Sequence, residues 1–343
     1  MRRPGTSLLF IITVLSINGC ERQPKRTLLE GLTMGIGWSI VISGEMPDRD
    51  SSALRNAVQA RLDEIDRTMS TYIDESELSR INRSHQDGWI DISEDLYNVI
   101  AGAVEISHLS GGAFDITIGP VVNLWGFGPD DTNDSVPAAE KINATLEMTG
   151  YTKLKTGLSP PGIKKTVPEL YLDLSGIAKG YAVDEIAALL ESREISDYMV
   201  DIGGEIMVRG RNPDGRLWRL GVEKPVSGER SVQQIIPLHD TAMATSGDYR
   251  NYFEKDGIRY SHTIDPRTGY PVRHNLASVT VLHESAMTAD ALATALLVMG
   301  PTDGLNFAAR NQLPAFFIIK TRDGFIEQQT KPFRHYLEQA GNG

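Results

Sequence analysis

Asp290 and Thr294 lie one helical turn apart in MTADALATALLVMG, residues 287–300, a stretch otherwise built mostly of Ala, Leu, Val and Met. At i and i+4 the two side chains share a face. A carboxylate beside a hydroxyl offers two hard oxygen ligands, the kind Mg²⁺ takes while water or a substrate phosphate fills its other positions. The alternative is structural: an acid near a helix start, and a threonine bonding back to a carbonyl. In either case Asp290 needs a partner, because an unpaired buried carboxylate costs several kcal/mol or neutralises itself.

Three more stretches hold polar groups that chemistry could use. In YLDLSGIAKGYAVDEIAALL, Leu172 to Leu174 is strand-like and a helix opens near Ile177. Ser175, Gly176 and Gly180 let the backbone approach a ligand, and the helix start presents N–H groups to an anion. Lys179, in the first turn, opposes the helix dipole, which a bound phosphate would explain. Asp173 could accept from a ring N–H. A plain strand-to-helix turn with a solvated lysine is the alternative. GGAFDITIGPVVNLWGFGP, residues 111–129, holds one ionisable group, Asp115, among glycines and aromatics. It could line a pocket for a flat aromatic ligand or form a core loop. His262 sits in an alternating run just before the turn IDPRTG, where it could be structural or a general base.

The elements that must position these groups are legible from periodicity. SSALRNAVQARLDEIDRTMS places Leu54, Val58, Leu62, Ile65 and Met69 at three- and four-residue spacing, an amphipathic helix with a serine cap. SEDLYNVIAGAVEISHLSGG is a second helix, capped by Ser93 and stopped by Gly111-Gly112. A third runs from about Ile177 to Ser192. The runs YMVDI, EIMVRG, RLWRLGVE, IRYSHTI, ASVTVL and AFFIIK read as strands, several following one another directly. This order predicts an α+β layered fold of mixed or antiparallel sheets with packed helices, not a doubly wound parallel sheet. The folded domain is expected over residues 30–330. The Pro-, Asp- and Lys-rich stretch from Pro129 to Thr166 reads as surface loop around one short helix. It offers a boundary between two subdomains at about 130–166, and residues 331–343 read as a C-terminal tail.

Composition bounds the function. The 343 residues suit one large domain or two ordinary ones. Thirty-four basic residues against 45 acidic ones give a net charge of −11, which argues against a nucleic-acid surface. There is no G-x-G-x-x-G, since Ile40 ends GIGWSI, and no Walker A sequence. HESAM has Met287 where a zinc helix needs its second histidine. At the N-terminus, Arg2 and Arg3 precede an apolar run from Leu8 to Ile17, then Cys20, the only cysteine in the chain. Residues 1–19 read as a secretory signal peptide. SINGC resembles a bacterial lipobox, which implies cleavage before Cys20, its lipidation, and a tether over 20–29. The expected location is the periplasmic side of the bacterial inner membrane, lipid-anchored.

As an ordered series, these stretches resemble the FAD:protein FMN transferase family, ApbE. GLTMGIGWSI is similar to the family's T-M-G-T-x-W segment, with Ile36 where threonine is usual. MSTYIDESELSRIN, GAFDITIGP, LDLSGIAKGYAVD, DIGGEIMVRG, SHTIDPRTGYPV and TADALATALLVMG complete the series over about residues 30 to 325. The resemblance implies that Met34, Tyr72, Ala113, Phe114, Asp115, Asp173, Lys179 and Ile264 hold FAD. It implies Mg²⁺ between the Gly176 carbonyl, Asp290 and Thr294, and places His262 and Asp265 nearest the chemistry. The implied reaction is attack by a partner's threonine hydroxyl on the phosphorus next to riboflavin, with AMP leaving. The implied partners are extracytoplasmic flavin-accepting subunits, such as those of sodium-pumping quinone reductase. Two other functions fit the same motifs: hydrolysis of FAD to FMN and AMP, and non-catalytic flavin binding.

Overall fold

The computed structural model describes residues 25–129, 135–226, 231–248 and 252–338. The expected signal peptide and the first half of the tether, Cys20 included, lie outside the described residues.

The chain opens with strands β1 (Arg26–Thr33) and β2 (Ile36–Ser43), then helices α1 (Asp48–Met69) and α2 (Glu77–Arg83). β3 (Ile90–Asp91), α3 (Glu94–Leu109), α4 (Gly119–Leu124), α5 (Ala139–Leu146), β4 (Leu154–Leu158) and β5 (Pro161–Lys165) follow. Next come α6 (Ala178–Glu191), β6 (Tyr198–Ile202), β7 (Glu205–Arg209), and the hairpin of β8 (Trp218–Glu223) and β9 (Val232–Leu238). β10 (Thr241–Gly247) leads to the small hairpins β11 (Tyr252–Lys255) with β12 (Ile258–Ser261) and β13 (Ile264–Asp265) with β14 (Tyr270–Pro271). β15 (Leu276–His283), α7 (Ala286–Arg310), β16 (Ala315–Thr321), β17 (Gly324–Gln329) and α8 (Lys331–Glu338) close the described chain.

An eight-stranded sheet, in the order β1-β2-β6-β7-β10-β15-β16-β17, organises the molecule, and each of its pairings is antiparallel. The α+β reading is therefore correct. Both faces of the sheet are covered, which explains why AFFIIK reads as an unbroken apolar run. Ala315, Phe317 and Ile319 join the large core under α1, α3, α6 and α7. Phe316 and Ile318 point the other way, into a second core with Trp218, Leu220 and Leu238 of the β8–β9 hairpin and Phe333 of α8. A third cluster of Val121, Trp125, Ile142, Phe253, Tyr260 and Ile264 joins α4 and α5 to the small hairpins.

Local expectations hold unevenly. α3 is capped by Ser93, whose side chain accepts from the Leu96 N–H, and it ends ahead of Gly111 and Gly112. α1 buries the five apolar residues its spacing selects, but it starts at Asp48, a turn before the expected serine cap. Asp48 and Asp50 in its first turn suit the dipole instead. The 130–166 stretch is more than a loop around one helix. Besides α5 it contributes the β4–β5 hairpin, which packs on α3 and sends Leu154 and Ile163 into the large core. Nor is 331–338 a loose tail, since α8 seats fully buried Phe333 against Phe316 at 5.3 Å between ring centroids. β1 begins at Arg26, inside the span expected to be tether.

Candidate active site

Helix α7 is where the sequence's question about Asp290 is answered. Its N-cap is Ser285, so Asp290 does not cap its own helix. α6 and α7 touch at Gly180, where a Cβ would strike the Ala286 carbonyl oxygen. That contact brings Asp290 to the start of α6, and its Oδ2 accepts the Gly180 N–H at 3.1 Å. Asp184 of α6 returns the favour, its oxygens accepting the Ala286 and Met287 N–H groups at 2.7 and 3.0 Å and the Ser285 hydroxyl at 2.7 Å. Each helix thus supplies an acid to the other's orphan N–H groups.

Asp290 also faces charge. Lys179 Nζ lies 2.6 Å from Glu205 Oε1 and 3.8 Å from Asp290 Oδ1. Asp290 and Glu205 are each only 3% exposed, so two carboxylates share one ammonium in a nearly dry setting. Burial pushes Asp290 above the usual carboxylate range, against the pull of Lys179. Burial likewise pushes Glu205 up to about 7. Glu205 Oε2 is buried with no hydrogen-bond partner. One turn after Asp290, the Thr294 hydroxyl lies 3.2 Å from the Ser246 hydroxyl of β10. The Gly176 backbone comes against it, since a Cβ on Gly176 would fall 3.4 Å from Thr294 Oγ1 and 3.1 Å from Phe114.

These groups open onto a cavity of about 1090 Å³, ample for a dinucleotide. Of the residues the sequence singled out, Tyr72, Ala113, Phe114, Asp115, Asp173, Gly176, Lys179, His262, Ile264, Asp290 and Thr294 all line it. Met34 and Asp265 do not. Met34 sits in the β1–β2 turn with φ 49°, while its neighbours Ile36, Gly37 and Trp38 reach the cavity wall. The donor set suits a small hard cation: an anionic oxygen, a hydroxyl, a main-chain oxygen nearby, and an adjoining cluster with one more carboxylate than ammonium.

The surrounding loops are held by side chains rather than by sheet ladders. Leu172 to Leu174, expected as a strand, is extended without strand pairing. Asn82 bridges the Leu172 N–H and carbonyl at 2.8 and 2.9 Å, and the Asp173 N–H donates to the Ile116 carbonyl at 2.7 Å. Asp173 Oδ1 accepts the Ser175 N–H and hydroxyl at 2.9 and 2.5 Å, shaping the turn into α6. Asp115 clamps its own loop. Its oxygens accept from the Thr117 N–H and hydroxyl and from the Tyr151 N–H, at 2.7 to 2.8 Å. Burial pushes Asp115 above its usual range in spite of these donors.

His262 lies between β12 and β13, because the expected strand IRYSHTI breaks there. It is half-buried at the cavity wall, its ring 6.4 Å from that of Phe127. Asp265 is held differently. Its Oδ1 accepts from the Arg267 N–H and Nε, and its Oδ2 from Arg267 Nη2, each at 2.9 Å. That fork fixes the IDPRTG turn and leaves His262 as the titratable group of this motif at the cavity. Trp125 secures the same turn by donating to the Gly269 carbonyl at 2.8 Å.

Glu205 and Ser246 were not singled out from the sequence. Glu205 left a readable signal: period-two alternation puts it on the inward face of β7 with Met207, where an acid is out of place. Ser246 left none, since its role depends on β10 passing α7.

The ApbE family model matches residues 34–317. The FAD:protein FMN transferase of Vibrio cholerae is 45% identical over 332 residues, 97% of this chain and 99% of that protein. Among solved structures, the flavin transferase ApbE from Vibrio cholerae superposes with a TM-score of 0.84 at 45% identity, covering 91% of this chain and 99% of that one. The flavinyl transferase ApbE of Pseudomonas stutzeri, in its apo form, gives 0.82 at 39% identity, covering 91% of this chain and 96% of that one.

Proposed function

The chain belongs to the ApbE family, and from that premise we propose that it transfers FMN from FAD to a threonine hydroxyl of a partner protein, in a Mg²⁺-dependent reaction that releases AMP. The observation that carries this reading is the pair Asp290 and Thr294, set at the cavity wall beside a buried cluster with one more carboxylate than ammonium.

FAD enters with its flavin among the apolar groups of the 113–118 loop and Ile264, and its pyrophosphate toward Lys179 and the start of α6. Asp290, Thr294 and the Gly176 carbonyl would hold Mg²⁺, which when bound offsets the repulsion between pyrophosphate and an acidic chain and stabilises charge developing at phosphorus. His262 takes the proton from the threonine hydroxyl as its oxygen bonds to the phosphorus next to riboflavin. The bond from that phosphorus to the bridging oxygen breaks, AMP leaves with the electron pair, and His262 returns its proton to solvent. Asp265 shapes the turn that carries His262. The apolar walls and the half-buried histidine favour a placed hydroxyl over bulk water.

The partner is proposed to be an extracytoplasmic flavin-accepting subunit, such as that of a sodium-pumping quinone reductase. The enzyme would meet it from a lipid anchor at Cys20, on the periplasmic side of the inner membrane. The test is incubation with FAD, Mg²⁺ and a threonine-bearing target peptide. A mass gain equal to FMN on the peptide, with AMP released, is expected. Free FMN with unmodified peptide would make the protein a hydrolase, and unconsumed FAD would make it a binding protein.

A further inference from the structure

Glu205 has no part in the mechanism above, yet it is the closest carboxylate to the only ammonium near Asp290 among the described residues. A lysine beside a metal-binding carboxylate is a competitor, because it can satisfy the same oxygen that the cation needs. Asp290 Oδ2 is engaged by the Gly180 N–H, which leaves Oδ1 as the oxygen a cation would take. Lys179 is long enough to reach Oδ1 but stands back at 3.8 Å, drawn to 2.6 Å from Glu205 Oε1 instead. Glu205 is itself fixed, at the start of β7, buried, and aimed at the cavity.

We propose that Glu205 is a positioning residue that holds Lys179 away from Asp290 Oδ1 and so keeps that oxygen free for the divalent cation. The inference rests on the reading of Asp290 as a metal ligand. Lys179 is thereby kept at the cavity as an ammonium for the substrate's phosphates without cancelling the carboxylate next to it. The unpartnered Glu205 Oε2 fits this role, because no donor on that oxygen draws charge away from the pairing with Lys179.

The experiment is calorimetric titration of Mg²⁺ into the full chain, joined to crystal structures grown without metal. In Glu205→Gln, Mg²⁺ affinity should fall by about tenfold or more, the usual scale for removing a group that orients a ligand. Nζ of Lys179 should close onto Asp290 Oδ1. Adding Lys179→Met to that variant should restore affinity, because the competitor is gone. Undiminished Mg²⁺ affinity in Glu205→Gln would overturn the proposal. So would a fall in affinity with Lys179 unmoved, which would mean that charge alone is at work. If the wild-type chain and Asp290→Asn bind Mg²⁺ alike, the ligand reading itself fails. The position of Nζ in metal-free Glu205→Gln would still decide whether Glu205 holds the lysine.

Discussion

Asp184 and Asp290 sit on opposite sides of one helix contact and do the same local job. Each accepts backbone N–H groups at the start of the other's helix. They differ in what remains after that job is done. Asp184 accepts from two N–H groups and a hydroxyl, so both its oxygens are engaged within the protein. Asp290 uses one oxygen on Gly180 and turns the other toward a cavity, with a lysine drawn aside. A saturated carboxylate is architecture; a half-saturated one, buried and facing open space, is a site.

The largest effect should come from removing the free oxygen's charge while keeping the cap. Asp290→Asn can still accept from Gly180, so its unfolding free energy should change by no more than about 1 kcal/mol. Flavin transfer should fall by about a thousandfold or more, as when a group stabilising transition-state charge is lost. Product formation followed by mass, beside urea unfolding of the same sample, checks both halves. A variant that transfers flavin normally would put Asp290 in the same class as Asp184.

Asp184→Ala should give the mirror image. It strands the Ala286 and Met287 N–H groups at about 1–3 kcal/mol each, so a loss of about 3 kcal/mol is expected in urea unfolding. Turnover per folded molecule should stay within about twofold of wild type. If activity falls as far as in Asp290→Asn, the division between architecture and site is wrong, and the α6–α7 contact would have to be treated as one catalytic unit.

His262→Ala should have an intermediate effect and touch neither acid. Turnover should fall by about a hundredfold, the usual scale of general acid–base catalysis, with FAD affinity nearly unchanged in a binding titration. An unaltered turnover would remove the histidine from the mechanism.

The same contrast explains what the sequence disclosed. Asp184 and Asp290 are each an acid in an apolar helix; Thr294 one turn on marks Asp290 in the sequence, but what either acid does is visible only in the packing of α6 on α7 at Gly180. The helices α1, α3 and α6 and the strands β6, β7, β8, β12, β15 and β16 were legible because apolar spacing is a local property. The α8 helix and the β4–β5 hairpin were not, because their short, polar sequences gain structure from packing on the two cores. Of the site, the cavity-lining positions came from ordered motifs. Asp265 illustrates the limit: its fork with Arg267 two residues on follows from turn geometry that spacing does not reveal. Glu205 illustrates the opposite case, a residue passed over although the alternation of β7 already pointed it inward.

The smallest effect, and the finest division of saturated from unsaturated acids, is a matter of pH. Glu205 is raised from an ordinary 4.5 to about 7, because burial and nearby Asp290 outweigh Lys179. Between those two values the folded protein holds a proton that the unfolded chain has released. The contribution of Glu205 to stability must therefore fall as pH rises from about 4.5 to about 7, and level off above it. At about 1.4 kcal/mol per unit, and allowing for the shared lysine, the drop due to Glu205 should be on the order of 2 kcal/mol. Glu205→Gln removes the titrating group, so urea midpoints of the metal-free variant should lose that component of the slope over this window. Wild-type and variant curves that run parallel would mean that Lys179 keeps Glu205 ionised throughout. Glu205 would then be a saturated partner like Asp184, and the uncancelled charge at the cavity would belong to Asp290 alone.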